Sequence, residues 1–397
     1  MKRRRQARDP SPPSPDGSPR PGGSSSRRRP WWIVVLGLLA VVAYGALQEL
    51  GLVDFDQTEA PPVATRSARP EPPLPRVQRE GRVSPTVRPG SARTTTGGGT
   101  IGLFVQPEDG RAPVLDEIEA ARESIALAVY LLSDEETIAA LEAARRRGVE
   151  VRVIMEEEPF GGAGNQAEIY DRLQRSGIEV RWDNPAFRFS HIKTMLVDGR
   201  VALIMNQNIT RSSFTGNREF GVVTTRTNEV AQAASIFEAD WGRAAEPPDG
   251  PLIVSPTTSR ADLLGLIDGA QRSLDVYAEV VRDEEVMAAF VAAEERGVAV
   301  RLIMSGDPDG GDDNAEERAE LADAGVDVRL ARGGLYIHAK MVLADGALAY
   351  VGSQNFTQTS LDLNRELGVF LNDRASIGRL AGTFEEDWAE GRPEGNG

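Results

Sequence analysis

FSHIKTMLVDGRVALIMNQN, residues 189–208, and YIHAKMVLADGALAYVGSQN, residues 336–355, are two copies of one pattern. His191 matches His338, Lys193 matches Lys340, Asp198 matches Asp345, and Asn208 matches Asn355, always 147 residues apart. The same offset carries Asn217-Arg218-Glu219 onto Asn364-Arg365-Glu366, and Phe237 and Trp241 onto Phe384 and Trp388. Upstream the offset is 149 residues. There the apolar run Ser124–Leu132, a stretch from Asp134 to Arg147 with Gly148 after it, and the run Val149–Met155 recur at Ser273–Val281, Asp283–Arg296, Gly297 and Val298–Met304. Each unit reads as a buried strand, an Asp-capped helix ended by Gly, and a second strand. The chain is therefore a duplication of two α/β halves, 101–245 and 250–391, joined near Pro247-Pro248. Each half should hold a mixed sheet covered by helices.

Composition sharpens where to look. The 397 residues contain two His and three Lys, and of these five only Lys2 lies outside the repeat. There is no Cys, which excludes disulfides, thiol nucleophiles and Cys-bound zinc. Two His exclude a three-His metal site within one chain. Residues 1–100 carry a formal charge of +8, which leaves −23 on residues 101–397. A body this acidic argues against a long nucleic-acid groove. Any phosphate chemistry must then use a local cationic site.

The repeat supplies one. In a strand, residues i and i+2 share a face, so His191 and Lys193 project together, as do His338 and Lys340. Asp198-Gly199 and Asp345-Gly346 each separate two apolar runs and read as two-residue hairpin turns. That turn places residue 191 opposite 206 and residue 338 opposite 353. Asn206 and Asn208 would then join the first His-Lys pair, and Ser353 and Asn355 the second. Imidazole, ammonium, amide and hydroxyl groups on one face suit a phosphate. Asp198 and Asp345 read as turn residues. Phe237, Trp241, Phe384 and Trp388 recur at helical spacing and read as core.

His-x-Lys-x4-Asp followed by Gly-Ser-x-Asn resembles the paired motif of the phospholipase D superfamily. Here it stands at His191-Ile192-Lys193 through Asn208, and at His338-Ala339-Lys340 through Gly352-Ser353-Gln354-Asn355. The first copy departs, with Met205-Asn206 in place of Gly-Ser. The resemblance implies a phospholipase D-like fold, two α/β-sandwich halves about a pseudo-twofold axis. It implies a monomeric catalytic unit in which both motifs meet in one active site and cleave phosphodiesters without a metal or cofactor. One His would attack phosphorus to form a phosphohistidine, and the other would serve as acid and base. Lys193, Lys340, Asn208 and Asn355 would hold phosphate oxygens, and Glu219 and Glu366 would each hydrogen-bond a histidine. The expected reaction is hydrolysis of a phospholipid head group. Phosphatidyl transfer of the cardiolipin-synthase kind, a nuclease, and a non-catalytic binding module are the alternatives.

The first hundred residues read differently. Residues 1–30 form a basic Pro/Ser/Arg-rich tail, expected to be disordered. Trp31–Leu47 is uncharged and mostly apolar, and residues 31–50 read as a single membrane anchor. Arginines before it and Glu49 after it place the tail inside and the body outside. A signal peptide cleaved after Ala43-Tyr44-Gly45 is the alternative, and would make the body secreted. Residues 51–100, rich in Pro and Gly, read as a disordered tether. The acidic loop at 306–313 looks calcium-like but lacks the Gly and Glu of an EF-hand, so no metal is expected there. Asn165 and Asn314 read as N-caps of the helices that follow.

Overall fold

The computed structural model describes residues 98–162, 164–244, 249–306 and 314–394. The expected tail, anchor and most of the tether, the Pro247-Pro248 junction and nearly all of the acidic loop lie outside the described residues. Among the described residues, no helix is long and apolar enough to cross a membrane.

The first half contributes strands β1 Ile101–Gln106, β2 Ser124–Val129, β3 Glu150–Met155, β4 Glu179–Trp182, β5 Lys193–Val197, β6 Val201–Met205 and β7 Asn217–Thr224. The second contributes β8 Ile253–Ser255, β9 Ser273–Ala278, β10 Ala299–Met304, β11 Asp327–Leu330, β12 Tyr336–Ile337, β13 Lys340–Ala344, β14 Leu348–Gly352, β15 Glu366–Leu371 and β16 Arg392–Pro393. The first sheet runs β4-β3-β2-β5-β6-β7-β1, and the second β16-β11-β10-β9-β13-β14-β15-β8. Apart from the added edge strand β16, the two orders are the same, as a duplication requires. β2, β3 and β4 pair in parallel, as do β9, β10 and β11, while the remaining neighbours in each strand order pair antiparallel, so both sheets are mixed.

The strands are nearly continuous apolar runs because both faces are covered. One face of each sheet packs in its own half, with Leu127, Val153 and Leu203 in the first and Val276, Leu302 and Val342 in the second. The other faces share a single core, with Ile204, Phe220, Met341 and Val351 among its members. The helices Thr227–Trp241 and Arg374–Glu390 contribute Phe237, Trp241, Phe384 and Trp388 to that shared core.

Local signals read as expected at the equivalent helices Glu135–Arg146 and Glu284–Glu295. Asp134 accepts the Thr137 N–H at 3.0 Å, and Asp283 accepts the Val286 N–H at 3.1 Å. Gly148 and Gly297 follow the last turns at φ 96° and 83°, where a Cβ would be strained. Asn165 and Asn314 stand at N-cap positions but make no side-chain cap bond. Asn314 instead donates from Nδ2 to the Glu279 carbonyl at 3.1 Å.

The hairpin register differs from the expected one. Asp198 and Gly199 both take positive φ, 51° and 61°, as a two-residue turn demands. The Arg200 N–H does reach the Val197 carbonyl at 2.9 Å. The ladder, however, pairs Val197 with Val201, so one extra residue intervenes. The second hairpin repeats this, pairing Ala344 with Leu348. A bulge of one residue reverses the face on which the side chains of the returning strand and the residue just past its end land, whereas Asn208 and Asn355 lie beyond the ladder. Asn206 and Ser353 are therefore not on the His-Lys face. The Asn206 Oδ1 accepts the Phe220 N–H at 2.7 Å, and the Ser353 Oγ accepts the Leu367 N–H at 3.1 Å. Both are fully buried and tie one strand end to the next.

The register also accounts for Met205 in place of Gly. A Cβ at the equivalent Gly352 would lie 2.6 Å from the Tyr350 hydroxyl, the Gln354 side chain and the Gly368 backbone. In the first half the residue equivalent to Tyr350 is Leu203, which leaves room for the Met205 side chain in the outer core.

Candidate active site

The segment before each motif histidine crosses to the other half. Tyr336 and Ile337 add as a short parallel strand beside Asn217 and Arg218 of β7. Ser190 forms the matching bridge to Arg365, whose N–H donates to the Phe189 carbonyl at 2.9 Å. Each Asn-Arg-Glu strand thus carries the approach to the other half's histidine.

The arginines fasten this exchange. Arg218 makes a two-pronged contact with Asp387, at 2.6 and 2.9 Å, and Arg365 bonds Asp240 at 3.0 Å. All four side chains are at most 4% exposed. Breaking such a buried pair by removing one partner costs about 3–5 kcal/mol, because a buried charge is left alone.

The result is a crosswise pairing of histidine and glutamate. His191 Nδ1 lies 2.8 Å from Glu366 Oε2, and His338 Nδ1 lies 3.1 Å from Glu219 Oε2. Each imidazole thus faces a carboxylate of the opposite half, hydrogen-bonded at His191 but only in ion-pair range at His338, whose Nδ1 and the Glu219 Oε2 are not aligned for a hydrogen bond. The glutamates are fixed in turn by the asparagines two residues before them. Asn217 donates to Glu219 at 2.8 Å, and Asn364 to Glu366 at 2.9 Å. Both histidines open onto a cavity of about 910 Å³, with Asn208 and Asn355 also in its wall. The side-chain oxygens of these two asparagines are buried and without a hydrogen-bond partner.

Lys193 and Lys340 are fully buried beneath the histidines. Each ammonium donates to the carbonyl of its own histidine at 2.7 Å. Lys193 also lies over the Tyr130 ring at 5.1 Å. Lys340 instead meets the carboxylate of Glu279, which sits 3.5 Å from His338 Nε2 as well. Among the described residues, no group of three or more His, Asp or Glu is arranged to hold a metal ion.

Electrostatics distinguish the groups. Burial drives the His191 imidazole down to about 4, against the opposing pull of Glu366. It is therefore neutral at pH 7, with its proton on Nδ1 facing Glu366 and its Nε2 lone pair left for the cavity. Burial also pushes the Lys193 amine well below its ordinary range. It acts to raise the Glu366 carboxyl, but His191 and Lys193 more than offset it and hold that group low. At Glu279 burial is likewise outweighed, by His338 and Lys340.

Asp198 and Asp345 serve elsewhere. Asp198 accepts the N–H groups of Arg122, Glu123 and Ser124, the closest at 2.7 Å. Asp345 accepts those of Gln271, Arg272 and Ser273 in the same way. Each carboxylate ties a hairpin turn to the start of the neighbouring strand, as their reading as turn residues anticipated.

Glu279 was not singled out in the sequence. The 149-residue offset aligns it with Tyr130, so the repeat gives it no matching acid in the first half. The available signal is an acid that, with Asp275, interrupts the otherwise apolar run Ser273–Val281.

A fold built from two such halves, with paired His-Lys motifs converging on one cavity, defines a phosphodiester-handling class. The chain belongs to the phospholipase D-like domain family described as "Cardiolipin synthase, PLD-like domain", whose model matches residues 114–241 and 263–388. It is similar to a cardiolipin synthase of Geobacillus kaustophilus, 27% identical over 72% of this chain and 65% of that protein. It is also similar to cardiolipin synthase 2 of Bacillus anthracis, 25% identical over 70% and 62% respectively. The chain thus spans slightly less than two-thirds of the length of these relatives. Among solved structures, phosphatidylserine synthase of Haemophilus influenzae shares the fold, with a TM-score of 0.61 at 12% identity over 76% of this chain and 90% of that one. Polyphosphate kinase of Porphyromonas gingivalis shares it too, with a TM-score of 0.59 at 18% identity over 73% and 47%.

Proposed function

We propose that the protein is a phosphatidyl transferase, moving the phosphatidyl group of one phospholipid onto an alcohol acceptor, as a cardiolipin synthase does. Head-group hydrolysis, the first expectation from sequence, becomes the side reaction in which water replaces the acceptor. The observation that carries this reading is the crosswise pair of histidines on one cavity, in a chain whose curated relatives are cardiolipin synthases.

The chemistry divides between the two imidazoles. The neutral His191 attacks phosphorus through Nε2, and the bond to the leaving alcohol breaks as that oxygen takes a proton from His338. The acceptor alcohol then gives its proton to His338 and attacks phosphorus, returning the electron pair to His191. Splitting the displacement in two avoids a direct attack of a poor nucleophile on an anion. Asn208 and Asn355 from the cavity wall, and Lys193 and Lys340 from the buried layer next to it, would stabilise the developing oxygen charge, where preorganised donors act most strongly. Glu366 and Glu219 hold the rings in tautomer and orientation. The N-terminal apolar segment, read as an anchor, keeps this body beside its lipid substrate.

The test is to supply the full-length protein with phosphatidylglycerol vesicles and separate the products. Cardiolipin and glycerol support transfer. Phosphatidic acid alone returns the reading to hydrolysis, and no lipid product at all overturns it.

A further inference from the structure

The two halves differ where they face the cavity. Residue 130 of the first half and residue 279 of the second occupy equivalent places, just past the ends of β2 and β9. The first is Tyr, the second Glu. The Tyr130 ring stands edge-on to His191, with centroids 4.6 Å apart, and its hydroxyl turns away to take the Phe160 N–H. It offers nothing charged to His191 Nε2. Glu279 puts its Oε2 on the Lys340 ammonium and 3.5 Å from His338 Nε2. Its other oxygen accepts the Tyr336 hydroxyl at 3.2 Å, which holds the carboxylate in that position. His338 therefore has a carboxylate at each ring nitrogen, Glu219 at Nδ1 and Glu279 at Nε2. His191 has one, at Nδ1.

We propose that Glu279 is the positioning residue that makes two like histidines unlike. Its carboxylate occupies the direction along which His338 Nε2 would attack phosphorus, and favours a proton on that nitrogen. His338 is thereby held as the proton carrier, and His191, which has the Tyr130 ring edge-on to it and, among the described residues, no second carboxylate in ion-pair contact, is left as the nucleophile. The inference rests on the phosphohistidine reading above. In the first step the His191 Nε2 lone pair forms the bond to phosphorus and the bond from phosphorus to the leaving oxygen breaks. That oxygen takes the Nε2 proton of His338, which until then faced Glu279.

The experiment compares wild type, Glu279→Gln, Glu279→Asp and Glu279→Tyr as full-length proteins, on two substrates. Phosphatidylglycerol vesicles have a leaving alcohol that needs a proton. Bis(4-nitrophenyl) phosphate has one that leaves without it. The labelled histidine is mapped by mass spectrometry after an alkaline quench. Wild type should carry the label on His191 alone. In Glu279→Gln the rate loss on phosphatidylglycerol should exceed that on bis(4-nitrophenyl) phosphate by about 30-fold or more, a part of the roughly 10²–10⁴-fold that a general acid contributes. Glu279→Asp should recover part of that gap. Glu279→Tyr, which copies the first half, should place about a tenth or more of the label on His338, an order-of-magnitude expectation for a nitrogen whose attacking direction is freed. Equal losses on both substrates with the label confined to His191 in every folded variant would overturn the proposal. Wild type that is labelled by bis(4-nitrophenyl) phosphate but makes no cardiolipin would sink the lipid reading and leave the Glu279 assignment standing.

Discussion

The two halves fold alike and are furnished differently. β2 and β9, β5 and β13, and β7 and β15 match in strand order and pairing register. Even the bulge after Asp198 recurs after Asp345. Two of their differences are instructive, Met205 against Gly352 and Tyr130 against Glu279. The first is absorbed in an outer core and changes packing only. The second lies at the cavity and changes the charge next to a histidine. A duplicated scaffold can thus keep its fold symmetric while its chemistry becomes asymmetric at a single position.

The comparison breaks most completely at the histidines. His191→Ala and His338→Ala should each lower transfer by about 10³-fold or more, since nucleophile and proton carrier act as one unit. Product formation from phosphatidylglycerol measures this. A half-active His191→Ala would mean that the halves are interchangeable after all.

The orienting glutamates give the next effect. Glu366→Gln and Glu219→Gln should each cost about 10²-fold or more in kcat, by analogy with the orienting carboxylate of a triad. The larger loss belongs to Glu366, which makes the shorter contact with its histidine. Equal losses would remove the distinction between the two pairs.

The pH dependence follows from burial of His191. Its folded value of about 4 lies below the ordinary imidazole value, so on the mechanism proposed above it keeps its Nε2 lone pair as the pH drops below 6.5. Formation of the covalent intermediate in a single turnover should persist to about pH 5 and fall only near 4. The same group costs stability over that window. The unfolded imidazole takes up its proton near 6.5 and the folded one does not until about 4, so its contribution declines as the pH falls between those values.

Two smaller effects concern the frame. Arg365→Met should lower the unfolding free energy by about 3–5 kcal/mol in a denaturant titration, by stranding Asp240. Asp198→Asn should cost about 1–3 kcal/mol, from weakened acceptance of three backbone N–H groups. Transfer by the folded fraction of Asp198→Asn should stay within about 3-fold of wild type, because loss of a turn tie leaves the cavity groups in place. A loss near that of a histidine variant would move Asp198 from the frame to the chemistry.

Much of this is legible in the sequence. The constant offsets disclosed the duplication, and the repeat itself pointed to His191, His338 and the two lysines. Strand and helix positions followed from apolar runs and from Asp134 and Asp283 as caps. The register of the hairpin was not legible. Asp-Gly fixes a turn type but not whether Arg200 or Val201 opens the ladder, and that single residue took Asn206 and Ser353 off the His-Lys face. The crossing of the glutamates was not legible either. A repeat tells which residues are equivalent, and it does not tell to which copy a side chain will reach. Glu279 escaped for the opposite reason, because it breaks the repeat that made everything else visible.

The crossed pairs also make catalysis a gauge of the seam between the halves. Neither half owns a finished site, so a slight parting of the two sheets lengthens both histidine–glutamate contacts at once. Warming should silence the enzyme while each half still keeps its own strands paired. Activity would then disappear before the far-ultraviolet circular dichroism signal does, and cooling would restore it without any refolding of the chain.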